Sequence, residues 1–452
     1  MSDSEELLKD LEQRGITRAK IGGFDVDGIL RGKYVSLDKL KSAIKSGFGF
    51  CDVIFGWDIN DVLYDNAQVT GWHTGYPDAH AVLDLSTLRP IPWEPGAVAI
   101  LADFRDEHGG PHPACPRSLL RTVIARAAQK GYSAKFSVEY EFFFFRETPG
   151  SLHAKGFTNL EPLSPGMFGY SWVREGQNSS LMRSIFDGMR PFDIEVEGLH
   201  TETGPGVYEV AIRYDECLRA ADKAALFKPA MKQIAHEHGL MVTFMAKWNA
   251  ALPGTSGHIH QSLWREGQNV FAAPAEPNGL SKTMRQYIAG QVELMPELTA
   301  LFSPNVNTYK RYVPGVWAPL TASWGFENRT CALRVIGAGD PSATRVEYRQ
   351  TAADINPYIA IATCLAAGLH GIDRELSPPP PASGDASAPG EVHKPLPRTL
   401  AEATKLLASS AVARELLGAP FVDHYVRTRE WEVRQYQLAV TDWELRRYFE
   451  AV

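Results

Sequence analysis

Apolar and polar positions change their period several times along the chain. "MSDSEELLKDLEQRG" reads as a charged helix, and "ITRAKIGGFDVDGILRGKYVSLDKL" after it reads as strand, turn, strand and helix start. Asp27-Gly28 is the kind of pair that closes a tight hairpin. "HAVLDLSTLRPIPWEPGAVAILADF" supplies two more β segments, broken by Pro90, Pro92 and Pro95. The period then turns helical. "CPRSLLRTVIARAAQKG" spaces its apolar residues as a helix does and closes on Gly131, so a second domain is predicted to open near residue 106. Later helices are predicted at "ADKAALFKPAMKQIAHEHG", "GLSKTMRQYIAGQVELMPELTALF" and "NPYIAIATCLAAGLHGI", where Asn356 suits the cap and Pro357 the first turn. "SPPPPASGDASAPGE", residues 377–391, has no large packing side chain and reads as an exposed, mobile loop. Strand-like and helix-like pieces mix irregularly, which predicts α+β rather than a doubly wound sheet.

A chain of 452 residues is too long for one ordinary core, so the pattern resolves into residues 1–105 and 106–452. Net charge is −7 without a dense Lys/Arg cluster, which argues against a nucleic-acid or anionic-membrane partner. Five scattered cysteines without CxxC spacing suit neither a zinc site nor a disulfide framework. They fit a reducing compartment, and no apolar run approaches the ~18 residues needed to span a bilayer. The expectation is a cytoplasmic protein.

Candidate chemistry begins in "KFSVEYEFFFF", where Glu139 and Glu141 share one face of a strand that otherwise reads as buried. Unpaired buried carboxylates cost several kcal/mol, so they face water or a positive partner. A divalent cation is the simplest such partner. Glu202 and Glu209 flank a Gly-Pro-Gly turn in "EGLHTETGPGVYEVAIRY", His258 and His260 alternate in "GTSGHIHQSLW", and Glu347 lies between Arg345 and Arg349. Five glutamates and a histidine, with no thiolate, suit Mg²⁺ or Mn²⁺ better than zinc. Arg311, Arg329, Arg334, Arg345 and Arg349 lie together among apolar residues, and guanidinium groups suit bidentate contact with carboxylate or phosphate. Carboxylates beside arginines are what phosphoryl transfer to an acidic substrate requires.

These segments, in this order, resemble the glutamine synthetase superfamily, in particular its type I branch and the γ-glutamylamide synthetases (glutamate–amine ligases) within it. The resemblance rests on "SVEYEFFFF", "HTETGPGVYEV", "SGHIHQSL", "NTYKRYVPG", "ENRTCALR", "RVEYR" and "NPYIAIATCLAAGL". It implies a small N-terminal β-grasp domain and a larger catalytic domain with a curved antiparallel sheet and helices. It implies two metals or more, one held by Glu141, Glu202 and Glu209, the other by Glu139, His258 and Glu347. Arg311, Arg329 and Arg349 match glutamate-contacting positions, with Gly254 in the glutamate-binding loop. Arg334 and Arg345 match ATP-phosphate positions, joined by Glu197, Tyr214 and Ser262. The catalytic set so implied is Asp58, Arg311 and Arg329, with Asp58 serving the neighbouring subunit of a stacked double ring, usually a dodecamer. The family's reaction activates glutamate with ATP as an acyl phosphate, which an amine then displaces.

Departures bear on the substrate. In "RYVPGVWAP" Trp317 stands where ammonia-using members carry a flap glutamate, and Trp72 falls near another acidic position of the ammonium pocket. Indole is no base, although its ring stacks on aromatics and attracts ammonium by cation–π contact. "NAALPGTSGH" lacks the Asp-Asn that often precedes the glutamate-loop glycine. The sequence therefore points to an apolar alkyl or aromatic amine as acceptor, while Asp61 and Asp65 keep a polyamine open. An ammonia-using glutamine synthetase and a catalytically silent structural relative are the alternatives. Adenylylation is not expected, because no tyrosine lies between Tyr358 and Tyr425.

Overall fold

The structure, a computed structural model, describes residues 3–388 and 393–452. It is α+β, with a curled, largely antiparallel sheet covered by helices. The N-terminal helix spans Asp3–Gln13, with Met1 and Ser2 outside the described residues. In the first sheet the strands run in the order Leu30–Ser36, Arg18–Phe24, Ala97–Arg105, Asp78–Leu83, Phe48–Cys51. Arg18–Phe24 pairs antiparallel with Leu30–Ser36 and parallel with Ala97–Arg105, the arrangement expected of a β-grasp. The predicted hairpin forms, but its turn is wider than Asp27-Gly28 alone. Asp25 Oδ1 accepts the backbone N–H groups of Asp27 and Ile29, and Gly28 takes φ 77°.

The second sheet runs Trp324–Phe326, Leu333–Ile336, Arg345–Tyr348, Ile259–Arg265, Ser133–Phe145, Val207–Ile212, Val196–Thr201. Its centre is the long strand Ser133–Phe145. Phe136, Val138, Tyr140, Phe142 and Phe144 point one way into the main core, beneath the helices Cys217–Glu237 and Pro116–Gln129. Phe143 and Phe145 point the other way and pack with Val207 and Trp248 in a small separate cluster. The aromatic run is thus shared between two faces, and Glu139 and Glu141 occupy the second face further back along the strand.

Polar contacts tie the first sheet to the helices packed against it. Asn356 caps its helix by accepting the Tyr358 N–H, and its Nδ2 donates to the carbonyls of Asp25 and Val26 in the first hairpin. Arg117, on the helix Pro116–Gln129, donates to Asp84 and Asp103 of the N-terminal segment and to both oxygens of Asp222.

The Pro-rich segment is exposed over most of its described length, as expected, but it does pack. Residues 389–391 lie outside the described residues, but 377–388 are docked rather than loose. Ala382 and Ala386 are buried against Cys331, and the Trp324 Nε1–H donates to the Pro379 carbonyl at 2.7 Å. Small side chains let this backbone approach closely enough for its own N–H and C=O groups to bond the neighbouring loop.

Candidate active site

Strand register gathers the acidic face. Glu141 lies opposite Glu209 and Glu209 opposite His200, while Glu347 lies opposite both His260 and Arg334. Side chains from six strands therefore meet on one surface. His258 Nδ1 lies 3.3 Å from Glu347 Oε1 and 3.5 Å from Glu139 Oε2, and His260 Nε2 lies 3.0 Å from Glu139 Oε1. His200 Nε2 lies 3.1 Å from Glu202 Oε1 and 3.7 Å from Glu209 Oε1.

Among the described residues, three groups have ligand atoms within 4.8 Å of one another: Glu139/Glu209/His258, Glu139/His260/Glu347 and His200/Glu202/Glu209. All six sequence-derived metal residues share this neighbourhood, although Glu141 stands apart, its Oε2 accepting the Ser256 N–H at 2.7 Å. The electrostatics divide the carboxylates into raised and lowered groups. Burial, reinforced by the charges of Glu141, Glu139, Glu202 and Glu347, pushes the Glu209 carboxyl up to about 9. Burial also raises Glu141. At Glu139 and Glu347 burial acts upward too, but the His260 and His258 imidazoles outweigh it, holding Glu139 well below the usual range and Glu347 at about 2. A hydrogen bond from His200 leads the lowering at Glu202. Such a donor set, carboxylates with imidazoles and one carboxyl unable to ionise unaided, fits a pair of Mg²⁺ or Mn²⁺ ions.

The arginines adjoin this cluster. Arg349 Nη1 pairs with Glu347 Oε1 at 2.5 Å, and Arg334 bridges Glu347 and Glu327 at 3.2 and 2.7 Å. Arg311 is buried and donates to the Gln350 carbonyl and Ser256 Oγ. Gly254 faces it: a Cβ there would lie 2.9 Å from Arg311 Cβ and 2.5 Å from the Ala246 carbonyl oxygen, so this loop closes on Arg311 only as glycine. Arg329 is exposed, and its carbonyl accepts from Arg349 Nε. Next to the metal cluster a cavity of about 250 Å³ is lined by Glu197, Tyr214, Ser262 and Arg345, four of the five ATP-binding candidates, together with Lys135 and Trp264. The fifth, Arg334, lies on the carboxylate side instead.

Asp58, Trp72 and Trp317 are placed otherwise. Asp58 accepts from Trp431 Nε1 and from the Asn60 and Val62 amides. Trp72 and Trp317 are 79% and 71% exposed in the single chain, Trp72 lying edge-on to Tyr76. Sequence reasoning missed His200 and Tyr170 and used only one of the two imidazoles in "GHIH". His200 was legible, since it sits two residues before Glu202 in an extended segment. Tyr170 was not. It takes φ 54°, its N–H donates to the Thr201 carbonyl, and its ring stacks on His200 at 4.3 Å.

A curled sheet whose one face carries a carboxylate–imidazole cluster ringed by arginines is the frame of an ATP-dependent ligase. Residues 113–448 match the glutamine synthetase catalytic domain, and the chain belongs to the glutamine synthetase family, as a ligase. It is 48% identical to Type-1 glutamine synthetase 2 of Dictyostelium discoideum, across 100% of this chain and 87% of that one. It is 38% identical to the glutamate–isopropylamine ligase of Pseudomonas sp, across 98% and 97%. Among solved structures, a GmaS/ADP complex superposes with TM-score 0.86 at 28% identity, covering 99% of this chain and 100% of the other. Family enzymes use ATP and divalent metals, with glutamate and an amine or ammonia as substrates.

Proposed function

We propose that this chain joins the γ-carboxylate of glutamate to an organic amine, apolar alkyl or aromatic, through a γ-glutamyl phosphate, giving a γ-glutamylamide, ADP and phosphate. The observation that carries the reading is the loss of the flap acid where an ammonium ion would be held. Trp317 replaces that acid. Of the acids of the 58–65 segment, Asp61 pairs with Arg31 and Asp65 with Arg434, while Asp58 accepts from neutral donors, which leave its charge unpaired. The two pairings disfavour a diamine whose distal cation would seek Asp61 or Asp65. Trp317 and Trp72 offer exposed indole for an apolar substituent.

When bound, the Mg²⁺ or Mn²⁺ ions screen the ATP phosphates and the transferred phosphoryl group. Around them Glu139, Glu141, Glu202, Glu209, His258 and Glu347 hold the charge. Arg311, Arg349 and the Gly254 loop orient glutamate. Arg329 stabilises the developing acyl phosphate, and Arg334 and Arg345 steady the nucleotide phosphates, with Glu197, Tyr214 and Ser262 along the nucleotide cavity. Asp58 reaches the site of a neighbouring copy in a ring assembly, for which a dodecamer is the expected form. The same proposal divides the chain at 105/106, supported by a buried core on the first sheet distinct from the main one. It also places the protein in the cytoplasm. The five cysteines form no disulfide with one another, and among the described residues no helix is long and apolar enough to cross a membrane.

The test is phosphate release with glutamate, ATP and Mg²⁺, comparing ammonia, ethylamine, isopropylamine, ethanolamine, putrescine and aniline. An apolar amine should dominate, and Trp317→Ala should lower its kcat/KM by about tenfold, roughly 1.4 kcal/mol of transition-state stabilisation. Ammonia dominating would overturn the reading. It would favour instead a glutamine synthetase, the reading that the 48% identity to a chain of that name supports.

A further inference from the structure

Arg329 rides on a backbone that is held from outside its own sheet. The strands Trp324–Phe326 and Leu333–Ile336 are parallel neighbours, yet only residues 327–332 connect them. Parallel neighbours ordinarily need a crossover of about a dozen residues. The short connection turns through Glu327, a non-glycine residue at φ 47°. A conformation of that kind persists where its surroundings over-determine it.

The surroundings here are the Pro-rich segment. The Ala382 N–H donates to the Trp324 carbonyl at 2.8 Å. Asn328 Nδ2 donates to the Gly384 carbonyl at 2.7 Å, and Thr330 Oγ1 lies 3.2 Å from that carbonyl and accepts the Ala386 N–H at 3.0 Å. Asn328 and Thr330 flank Arg329 in sequence, so the contacts close on it from both sides. The same stretch continues past the flap that carries Trp317. The Leu396 N–H donates to the Leu320 carbonyl at 3.0 Å, and the Ala322 N–H donates to the Lys394 carbonyl at 2.8 Å. Before the flap, Arg398 Nη2 donates to the Tyr312 carbonyl at 2.7 Å. Both flap bases and the Arg329 loop therefore lean on one segment.

We propose that this segment, in its described parts 379–388 and 394–398, is a positioning strap, and that Asn328 and Thr330 are the positioning residues through which it sets the pose of Arg329. The strap governs the chemical step at glutamate more than the binding of nucleotide, whose cavity is lined from other strands, with Arg334 bordering the 327–332 loop through Glu327. This rests on the ligase reading above.

Thr330→Val removes the hydroxyl with little change of shape, and Thr330→Ser keeps it. In the full-length protein, Thr330→Val should lower kcat for γ-glutamylamide formation by about fivefold or more while KM for ATP moves less than about twofold. Thr330→Ser should return kcat to near the wild-type value. Backbone amides of residues 327–331 should exchange faster with solvent in Thr330→Val, and those of 139–141 should not. An unchanged kcat in Thr330→Val, or a loss that Thr330→Ser does not rescue and that follows the melting temperature, would overturn the strap. A wild-type chain that releases no phosphate with any amine or ammonia would instead overturn the ligase reading. In that case the exchange experiment still decides, because unaltered exchange at 327–331 would overturn the strap without reference to activity.

Discussion

At Glu209 the charge imbalance of the metal-free site is concentrated. Its carboxyl titrates near 9 when folded against an ordinary value of 4.5, so the folded chain holds a proton that the unfolded chain has lost. A group with a raised folded pKa contributes stability at low pH and loses it as pH rises toward the folded value. His260, also raised, acts in the same direction above its ordinary 6.5. Glu139 and Glu347 are lowered, and their contribution is lost only as pH falls below about 4.5. Between pH 7 and 9 Glu209 therefore tilts the melting temperature of the metal-free protein downward as pH rises, against the opposite tilt of the buried Lys228, which is pushed down to about 7. Saturating Mg²⁺ should remove the Glu209 contribution and so change the slope, because a bound cation replaces the proton. An equal slope with and without Mg²⁺ in a calorimetric series would contradict the assignment of Glu209 to the metal site.

At the scale of elements, helices with local signals were legible. Pro116–Gln129 begins on its proline, and Pro357–Asp373 begins on its proline behind the Asn356 cap. The docking of the Pro-rich segment was not legible. Short alanines and backbone polar groups leave no hydrophobic pattern, and their partners lie some fifty residues away. The ionic joint between the first sheet and its helices was also hidden, since Asp84, Asp103, Arg117 and Asp222 share no spacing. Arg117 is about 3% exposed in its side chain and contacts all three carboxylates. Arg117→Met leaves Asp222 with only the Tyr358 hydroxyl, while Arg121 still pairs with Asp84 and Asp103, and should cost about 3 kcal/mol of unfolding free energy. Urea denaturation would measure it, and a cost below about 1 kcal/mol would show that the joint is dispensable.

The whole molecule leaves apolar surface uncovered at its C-terminal end. Leu438 is 76% exposed, Trp443 59% and Phe449 81%, around the short helix Asp442–Tyr448. An exposed apolar stretch of this kind is expected where copies of a chain meet. Replacing Trp443 and Phe449 together by Asp should yield a smaller species in sedimentation velocity with unchanged circular dichroism. An unchanged sedimenting mass would exclude this surface from the contacts between copies.

The sequence by itself determined the α+β class and displayed the six candidate acidic and imidazole positions and the arginine cluster, while the replacement of a flap acid by Trp317 follows from the family resemblance. The class and the candidates are carried by residue type and by spacing of two or of about 3.6, which a linear chain displays. Only the tertiary structure decided that His200 and His260 join the cluster and that Glu141 is partly occupied by the Ser256 amide. It alone showed that Asp58, Asp61 and Asp65 are engaged, and that residues 377–388 hold the Arg329 loop. Each of these depends on strand register or on a contact between distant segments, and neither leaves a periodic trace in sequence.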